Sequence, residues 1–355
     1  MRVVVLGLSI TSSWGNGHAT NYRALVRSLT ARGDDVLFLE RDVPWYAASR
    51  DLPEPPWGRT RLYGSLEELE QFEDDVRDAD LVVVGSYVPD GVAVGEWVTA
   101  TTRGVTAFWD IDTPITVAKL ERGDDEYLSR ELVGRYDLYL SFTGGPILEL
   151  LTTEFGARRA VPFHCVVDAE AYAPVKAAQR YLLGYLGTYS DDRQPLVEEL
   201  LLEPARRLPQ AAFVVGGPQY PASVVWPGNI THLEHVPPSD HPGFYAAQRF
   251  TLNVTRAEMR RWGWSPSVRL FEAAASGVAI VSDVWDGLDA FFEPGAEILV
   301  ARDADEACAI LTETSRSDAR AIAARARARV LREHTAERRA QQLAQHVREV
   351  GGVRT

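Results

Sequence analysis

Short apolar runs alternate with stretches of helical periodicity from the first residues of the chain. Runs of this kind, each predicting a buried strand, occupy 3–8, 35–39, 81–85, 105–109 and 138–141. Between the first two runs, apolar side chains recur at helical spacing from 19 to 31, and Gly33 follows as a helix-ending residue. Alternating strands and helices are typical of a parallel α/β sheet.

The same alternation starts again beyond a polar stretch at 168–179. Strands of this second unit are predicted at 181–186, 212–216, 250–254, 278–282 and 297–300. The Ala- and Arg-rich tail from 315 to 350 predicts two helices that separate near His334 and Thr335. The Pro- and Trp-rich segment 43–64 predicts a long loop, and loops of that length are often functional.

Composition fits this two-unit organisation. At 355 residues the chain has room for two domains, and 46% hydrophobic with 25% charged residues is ordinary globular composition. The 37 Lys and Arg against 50 Asp and Glu give a net charge of −13, which disfavours nucleic acid or an anionic membrane as a partner. The 2 cysteines form no zinc or disulfide pattern. No apolar run is long enough to cross a bilayer and the first carries no cleavage site, so we expect a cytoplasmic protein.

The first candidate site lies between the first strand and the first helix, in the segment SSWGNGHATNYRAL. Backbone N–H groups converge at a helix N-terminus, which favours an anion or a hydroxyl group. His18 in this segment is a candidate general base, with a simple helix-capping turn as the alternative. Asp110 follows the fourth strand and is predicted to orient His18. Asp112 is predicted as the helix N-cap before Pro114 rather than as a metal ligand.

A second candidate site lies where the segment SPSVRLFEAAASG opens a helix of the second unit. Ser265 and Ser267 are predicted to cap that helix, whose N-terminus favours a diphosphate. Glu272 is predicted to accept the ribose hydroxyls of a nucleotide, and a solvated position on an amphipathic helix is the alternative. Arg193 and Arg269 are candidate phosphate-binding cations, with ordinary surface arginines as the alternative.

Six sequence blocks resemble the two-domain GT-B glycosyltransferases, in particular the bacterial CgeB-like branch of spore-maturation proteins, which is related to the group 1 glycosyltransferases. The blocks read NGHATNYRALVRSLTARGDDVLFLERDVPWY, DIDTPIT, LGYLGTYSDDRQ, LNVTRAEM, SPSVRLFEAAASG and DGLDAFFEPGAEILVA. The resemblance implies an α/β fold of two Rossmann-like domains whose parallel sheets face each other across a cleft. It implies an N-terminal acceptor-binding domain at 1–172, a C-terminal nucleotide-sugar-binding domain at 173–334, and a helix at 335–355 that crosses back onto the first domain.

The resemblance also implies roles for individual residues. Expected donor-binding residues are Gly187, Thr188, Arg193, Gly217, His235, Val236, Ser267, Val268, Arg269 and Glu272. Expected acceptor-binding residues are Trp14, Asn16, Gly17, Trp45 and Tyr46. His18 and Asp110 stand where inverting relatives carry their base and its partner. Retaining relatives place a second Glu eight positions before the ribose-binding one, and Trp264 stands there instead, so we expect inversion.

The predicted activity is therefore a metal-independent transfer of a sugar from a nucleotide-diphosphate sugar to a hydroxyl acceptor. No cofactor is expected besides the nucleotide sugar itself, which acts as co-substrate. A nucleotide-sugar epimerase and a non-catalytic, two-lobed nucleotide- or metabolite-binding protein are the alternatives. The sugar, the base, the acceptor and the oligomeric state are not predicted by the sequence.

Overall fold

Every strand pair in the described structure is parallel, and the strands form two separate sheets. The computed structural model describes residues 1–14 and 17–351. The chain divides into a first unit, made of Met1–Val166 with Ala336–Thr355, and a second unit, made of Val167–Thr335. The predicted α/β architecture with two parallel sheets is confirmed. The N-terminal part of the first unit ends at Val166, whereas the sequence predicts the domain boundary at 172.

The first unit contains a seven-stranded sheet in the order β3-β2-β1-β4-β5-β6-β7. Its strands are β1 (Arg2–Gly7), β2 (Asp35–Arg41), β3 (Arg59–Tyr63), β4 (Leu81–Gly85), β5 (Val105–Asp110), β6 (Leu138–Ser141) and β7 (Ala160–Pro162). Its first eight helices are α1 (His18–Ala31), α2 (Pro44–Ala47), α3 (Leu66–Leu69), α4 (Glu73–Arg77), α5 (Gly91–Thr101), α6 (Thr113–Glu121), α7 (Arg130–Val133) and α8 (Ile147–Thr153). The central strands β1, β4 and β5 are almost wholly buried, as expected for a parallel sheet covered on both faces.

The second unit contains a six-stranded sheet in the order β10-β9-β8-β11-β12-β13. Its strands are β8 (Tyr181–Leu186), β9 (Phe213–Gly216), β10 (Ile230–Leu233), β11 (Gln248–Asn253), β12 (Ala279–Ser282) and β13 (Leu299–Val300). Its helices are α9 (Gln194–Val197), α10 (Glu203–Arg207), α11 (His241–Ala246), α12 (Ala257–Trp262), α13 (Val268–Ala275), α14 (Ala304–Glu313) and α15 (Arg316–Glu333). A π-helical turn at Glu198–Leu202 joins α9 to α10.

The C-terminal tail forms the two predicted helices, α15 and then α16 (Ala336–Gly351), on either side of residues 334–335. Helix α16 belongs to the first unit, where it packs against α1 and β5. Arg339 on α16 is only 2% exposed, and it donates to the carbonyl of Cys165 at 3.4 Å beside the ring of Phe163. Burial lowers the pKa of Arg339 to about 10.

The segment predicted as one long loop, 43–64, contains two regular elements. Pro44 starts α2, because a proline fits the first turn of a helix without losing a hydrogen bond. Strand β3 pairs with β2 at the edge of the sheet and carries Arg59 and Arg61. Charged side chains protect an exposed sheet edge, so this strand lacks the apolar run by which the buried strands are recognised.

A buried carboxylate holds the turn that follows β1. Glu40 in β2 is fully buried, and its Oε1 accepts from Ser9 Oγ at 3.1 Å and Thr11 Oγ1 at 2.6 Å. Its Oε2 accepts from the N–H groups of Ile10 at 2.7 Å and Thr11 at 3.0 Å. Four donors compensate for removing this charge from water. The turn leads towards the start of α1, so Glu40 fixes the path of the chain into the first candidate site.

We expect Glu40→Ala to lower the free energy of unfolding, because it leaves two buried N–H groups without an acceptor at about 1–3 kcal/mol each. Glu40→Gln keeps one carbonyl oxygen and should cost less. The measurement is the midpoint of urea unfolding followed by tryptophan fluorescence. Midpoints equal to that of the wild type for both variants would show that Glu40 does not support the fold.

Candidate functional site

His18 is the first residue of α1 and is partly buried. The ring of Tyr87 lies edge-on to it, with 5.4 Å between the ring centroids. Burial lowers the pKa of the His18 imidazole below its usual 6.5, and the negative charge of Asp112 partly opposes this. The imidazole is therefore neutral at pH 7, which is the state that a general base requires.

Asp112 occupies the predicted N-cap position of α6, with Pro114 in the first turn. Its side chain makes no capping hydrogen bond and accepts from Tyr87 Oη at 3.1 Å. The predicted position is confirmed, whereas the predicted capping contact is wrong. The side chain is instead turned towards the tyrosine that packs on His18. Asp112 is thus close enough for its negative charge to raise the pKa of His18 against the effect of burial.

Asp110, predicted to orient His18, is completely buried at the end of β5. Its carboxylate accepts from Tyr139 Oη at 2.5 Å, from Thr116 Oγ1 at 2.7 Å and from the N–H of Asp112 at 3.2 Å. Burial raises the pKa of Asp110 to about 6, and its hydrogen bonds oppose the rise. These contacts fix the start of α6, and with it Asp112.

The residues predicted to bind the acceptor lie on two segments that hydrogen bonds tie together. Ser12 Oγ donates to the carbonyl of Ser49 at 2.7 Å, close to Trp14 on one segment and α2 on the other. The side chains of Trp14 and Trp45 are 53% and 56% exposed, which leaves two aromatic faces open. Tyr46 is buried, and Gly17 immediately precedes α1. Asn16 lies outside the described residues.

In the second unit, two glycine turns meet at the carboxyl ends of β8 and β9. The N–H of Gly187 donates to the carbonyl of Gly216 at 2.8 Å. Gly217 has φ of +146°, and a Cβ there would lie 2.1 Å from the Gly187 oxygen, so only glycine fits. A Cβ at Gly187 would lie 2.8 Å from Arg269 Nη2. The structure thus brings the predicted Gly187, Gly217 and Arg269 together.

Arg269 carries a buried positive charge at these turns. It is 9% exposed, and its guanidinium lies 4.9 Å from the centre of the Tyr185 ring. Nε donates to the carbonyl of Leu186 and Nη1 to Asn253 Oδ1 at 3.3 Å, both neutral acceptors. No ion pair within the described ranges, 1–14 and 17–351, includes Arg269. A buried cation without a counter-ion is the arrangement expected of an anion-binding site.

Arg193 reaches the same region from the start of α9. Its Nη2 donates to the carbonyl of Thr188 at 2.8 Å, while its buried Nε has no hydrogen-bond partner in the part of the chain that the structure describes. Tyr220 donates to the Gly187 carbonyl at 3.1 Å, and the charges of Arg193 and Arg269 both act to lower its pKa against the effect of burial. Two cations therefore converge near the paired glycine turns.

Helix α13 begins at Val268 beside this cluster, with Ser267 as its N-cap residue. The Ser267 hydroxyl donates to Asn253 Oδ1 at 2.8 Å instead of capping the helix, so the predicted side-chain cap is wrong. Ser265 Oγ donates to the carbonyl of Gly263 at 2.8 Å. The first N–H groups of α13 therefore have no serine cap, and a helix N-terminus in that state favours a negative charge.

Glu272 lies further along α13 and is 5% exposed. Its carboxylate is 4.0 Å from His241 Nδ1 and close to the hydroxyls of Tyr172 and Tyr245, whose pKa values burial and then Glu272 raise. His241 Nε2 donates to the carbonyl of Val236 at 3.1 Å, and its Nδ1 lies 3.0 Å from the hydroxyl of Tyr172. The alternative of a solvated Glu272 is excluded, because the carboxylate is buried among the side chains of Tyr172, Tyr245 and His241.

Two predicted donor residues stand apart from the arginines. Val236 is buried, and its carbonyl accepts a hydrogen bond from His241, which lies beside Glu272. His235, its neighbour, is exposed on the loop after β10. The structure thus groups the predicted donor residues into a phosphate-side cluster around Arg269 and a second cluster around Glu272.

Three polar residues that the sequence reasoning missed complete this edge of the second sheet. Tyr185 Oη is buried without a hydrogen-bond partner among the described residues and would lie 2.7 Å from a Cβ at Gly187. Asn253 links Ser267 to Ser282. Asp283 accepts at Oδ1 from Thr255, while burial raises its pKa to about 6. Asn253 and Asp283 each end or follow a buried strand, and that pattern was the available signal.

The described residues, 1–14 and 17–351, contain neither a metal-binding cluster nor a membrane-spanning helix. No group of three or more His, Cys, Asp or Glu side chains is arranged to hold a metal ion. No helix in these ranges is long and apolar enough to cross a membrane.

Part of the sequence is similar to a known protein family. A family profile described as "Glycosyl transferase-like" matches residues 193–345. The matched region includes Arg193, Arg269 and Glu272, and it excludes His18. Comparison with curated proteins finds no match.

Solved structures resemble the whole chain. Sucrose-phosphate synthase from Thermosynechococcus elongatus matches with a TM-score of 0.71 at 15% identity, covering 99% of this chain and 100% of that one. Anabaena HepE, solved in complex with UDP and glucose, matches with a TM-score of 0.72 at 14% identity, covering 97% and 98%. The fold is GT-B. A putative UDP-N-acetylglucosamine 2-epimerase from Listeria monocytogenes matches at a lower TM-score of 0.59 and 12% identity, covering 98% and 96%. The predicted GT-B fold class is confirmed.

We expect the pKa of His18, followed by NMR, to lie below 6.5 and to fall further in Asp112→Asn, because the opposing negative charge is removed. Asp110→Asn is the matched comparison. It should leave the His18 pKa nearly unchanged and should lower the unfolding midpoint, because an amide placed against three donors breaks buried hydrogen bonds. A larger shift of the His18 pKa in Asp110→Asn than in Asp112→Asn would reverse the assignment.

Proposed function

We propose that this protein is a glycosyltransferase that transfers a sugar from a nucleotide-diphosphate sugar to a hydroxyl acceptor. The observation that carries the proposal is Arg269, a buried guanidinium with no counter-ion in the part of the chain that the structure describes, beside two glycine turns and a helix N-terminus. That arrangement suits a diphosphate. UDP is the first nucleotide to test, because the structure of HepE is described as a complex with UDP and glucose.

The donor is bound by the second unit in this proposal. Arg193, Arg269 and the first N–H groups of α13 take the diphosphate, with Gly187 and Gly217 allowing the backbone to approach it. Glu272 accepts the ribose hydroxyls, with Tyr172, Tyr245 and His241 close to its carboxylate. Val236 and the exposed His235 lie on the side of the base. Ser267 and Thr188 contribute to binding of the diphosphate through their backbone groups.

The acceptor is bound by the first unit, between the open faces of Trp14 and Trp45. Aromatic faces stack on sugar rings and other flat apolar groups, and Tyr46, Asn16 and Gly17 shape the surroundings. His18 removes the proton of the acceptor hydroxyl. The negative charge of Asp112, which Tyr87 holds in place, stabilises the imidazolium that forms on His18. Asp110 acts as a positioning residue, because it holds the backbone of Asp112.

The reaction is a single displacement. As His18 takes the proton, the acceptor oxygen bonds to the anomeric carbon of the donor sugar, and the bond from that carbon to the diphosphate oxygen breaks. Attack opposite the departing diphosphate inverts the anomeric centre. Arg193, Arg269 and the α13 N-terminus stabilise the leaving charge, so the proposed reaction needs no metal and no further cofactor. Trp264, packed on Gly287, stands where retaining relatives carry a carboxylate, which supports inversion.

The subfamily and the cellular location are part of the same proposal. The sequence block SPSVRLFEAAASG followed by DGLDAFFEPGAEILVA favours the CgeB-like branch, and we place the protein in the cytoplasm of a bacterium.

We expect Arg269→Met to weaken UDP binding by about 10–100-fold, because hydrogen bonds to a charged group contribute about 1.5–3 kcal/mol. Isothermal titration calorimetry with UDP measures this. Arg302→Met is the matched control, since Arg302 is a surface residue of the same unit paired with Glu306. Equal UDP affinity in wild type and Arg269→Met would refute the donor site.

We expect His18→Ala to slow release of UDP from UDP-glucose by about 10²–10⁴-fold in the presence of an acceptor panel, while UDP affinity is unchanged. The wild-type rate should fall as the pH drops through the pKa of His18, which burial places below the usual 6.5, because protonation removes the base. His346→Ala is the matched control, a second histidine of the first unit whose pKa burial also lowers. Full activity of His18→Ala would remove the base assignment, and a new sugar isomer formed from donor alone would favour an epimerase.

A further inference from the structure

A cavity of about 480 Å³ opens in the second unit at the edge of the sheet opposite the Arg269 cluster. Its walls include Gln248 and Arg249, which begin β11, and Ala279, which begins β12. Arg269, in contrast, contacts Leu186 and Asn253, the last residues of β8 and β11. Because the strands are parallel, the two sites lie at opposite ends of the same sheet. The cavity therefore lies at the opposite end of the sheet from the Arg269 cluster, and Tyr245, whose hydroxyl is close to Glu272, forms part of its wall.

Four positive side chains line this cavity, and no Asp or Glu does. The four are Lys176, Arg249, Arg316 and Arg320. Arg249 donates to the carbonyl of Thr314 and Arg316 to Gln179 Oε1 at 3.0 Å, both neutral acceptors. Across residues 1–14 and 17–351, none of the four forms an ion pair with a carboxylate. In a chain with 50 acidic residues against 37 basic ones, such a concentration of unpaired cations is unexpected.

The arrangement of these charges is unfavourable in the empty protein. Arg316 and Arg320 are four residues apart on α15, and like charges at that spacing destabilise a helix by about 0.2–0.5 kcal/mol. Arg316 also stands in the first turn, at the positive end of the helix dipole. Burial and the charge of Arg316 both lower the pKa of Arg249. Asp318, the acid in that first turn, accepts from Ser315 and does not line the cavity.

The protein offers only a partial compensation of its own. Helix α13 ends at this cavity with Ser276 as its C-cap, and a helix C-terminus carries about half a negative charge. That offsets a small part of four positive charges. Ser276 is 4% exposed, and its buried Oγ has no hydrogen-bond partner among the described residues. The Ser276 hydroxyl can therefore donate a hydrogen bond to a ligand bound beside the cations.

We propose that this cavity binds a soluble small molecule that carries two phosphate groups or a diphosphate. Two phosphate monoesters carry about −3 to −4 charges at pH 7, which matches the four cations. The volume is within the range of about 300–1,000 Å³ that is typical of small-molecule sites. The proposal does not depend on the glycosyltransferase activity, because it concerns the other end of the sheet.

The test uses inorganic pyrophosphate, titrated by calorimetry into the full-length protein in the presence of saturating UDP. UDP fills the proposed donor site in this titration. Because UDP itself carries a diphosphate, the same titration without UDP checks that UDP does not also occupy the cavity. We expect binding that Arg316→Ala/Arg320→Ala weakens at least tenfold, while UDP affinity stays unchanged. The matched control is Arg325→Ala/Arg332→Ala, two exposed arginines of the same helix that do not line the cavity. The control should bind pyrophosphate like the wild type.

Lys176→Ala provides a second variant on a separate segment and should also weaken pyrophosphate binding. Pyrophosphate affinity unchanged in both cavity variants, or no binding to the wild type at millimolar concentration, would overturn the proposal. A second arm uses vesicles that contain phosphatidylglycerol, since a lipid headgroup also carries phosphate. Vesicle binding lost in Arg316→Ala/Arg320→Ala without any pyrophosphate binding would overturn the soluble ligand. If UDP does not bind at all, pyrophosphate titrations of the same variants still test whether the cavity binds a diphosphate, independently of the proposed function.

Discussion

The parallel direction of every strand is the constraint on which the rest of this structure depends. Parallel strands end at one edge of a sheet, so the residues that follow them are brought together although they are far apart in sequence. In the first unit this places Asp110 at the end of β5. In the second it gathers Gly187, Gly217 and Asn253 at one edge, with Arg269 reaching them from α13. The candidate chemistry follows from strand direction more than from any single motif.

Charge distribution is the second organising feature. The chain is acidic overall, and many of its arginines are paired, as Arg23 is with Asp51 and Arg77 with Glu73. Against that background, Arg269 stands out because it is buried among neutral acceptors. The four cations at the other end of the second sheet stand out because none of them forms an ion pair with a carboxylate among the described residues. Burial makes Arg269 costly without an anion, whereas most of the four cavity cations are exposed and repel one another in water.

Elements with a strong apolar signal were predictable, and elements without one were not. The strand beginning at Val3 and the two tail helices separated around 334–335 follow from burial and helical periodicity. Strand β3 was missed because its charged, exposed residues resemble a loop. The capping contacts of Asp112 and Ser267 were also mispredicted. Both residues occupy the expected N-cap positions, yet Tyr87 and Asn253, distant in sequence, compete successfully for their side chains.

The sequence by itself determined the fold class, the order of the strands along the chain, and which residues stand at helix N-termini after buried strands. These depend on local periodicity and on turn residues, which neighbours in sequence decide. Only the tertiary structure decided that Asp110 is held by Tyr139 and Thr116, that Glu272 is enclosed by Tyr172 and His241, and that Arg269 has no counter-ion among the described residues. The reason is physical: a side chain's partner, burial and pKa are set by groups that only the folded sheets bring within contact distance.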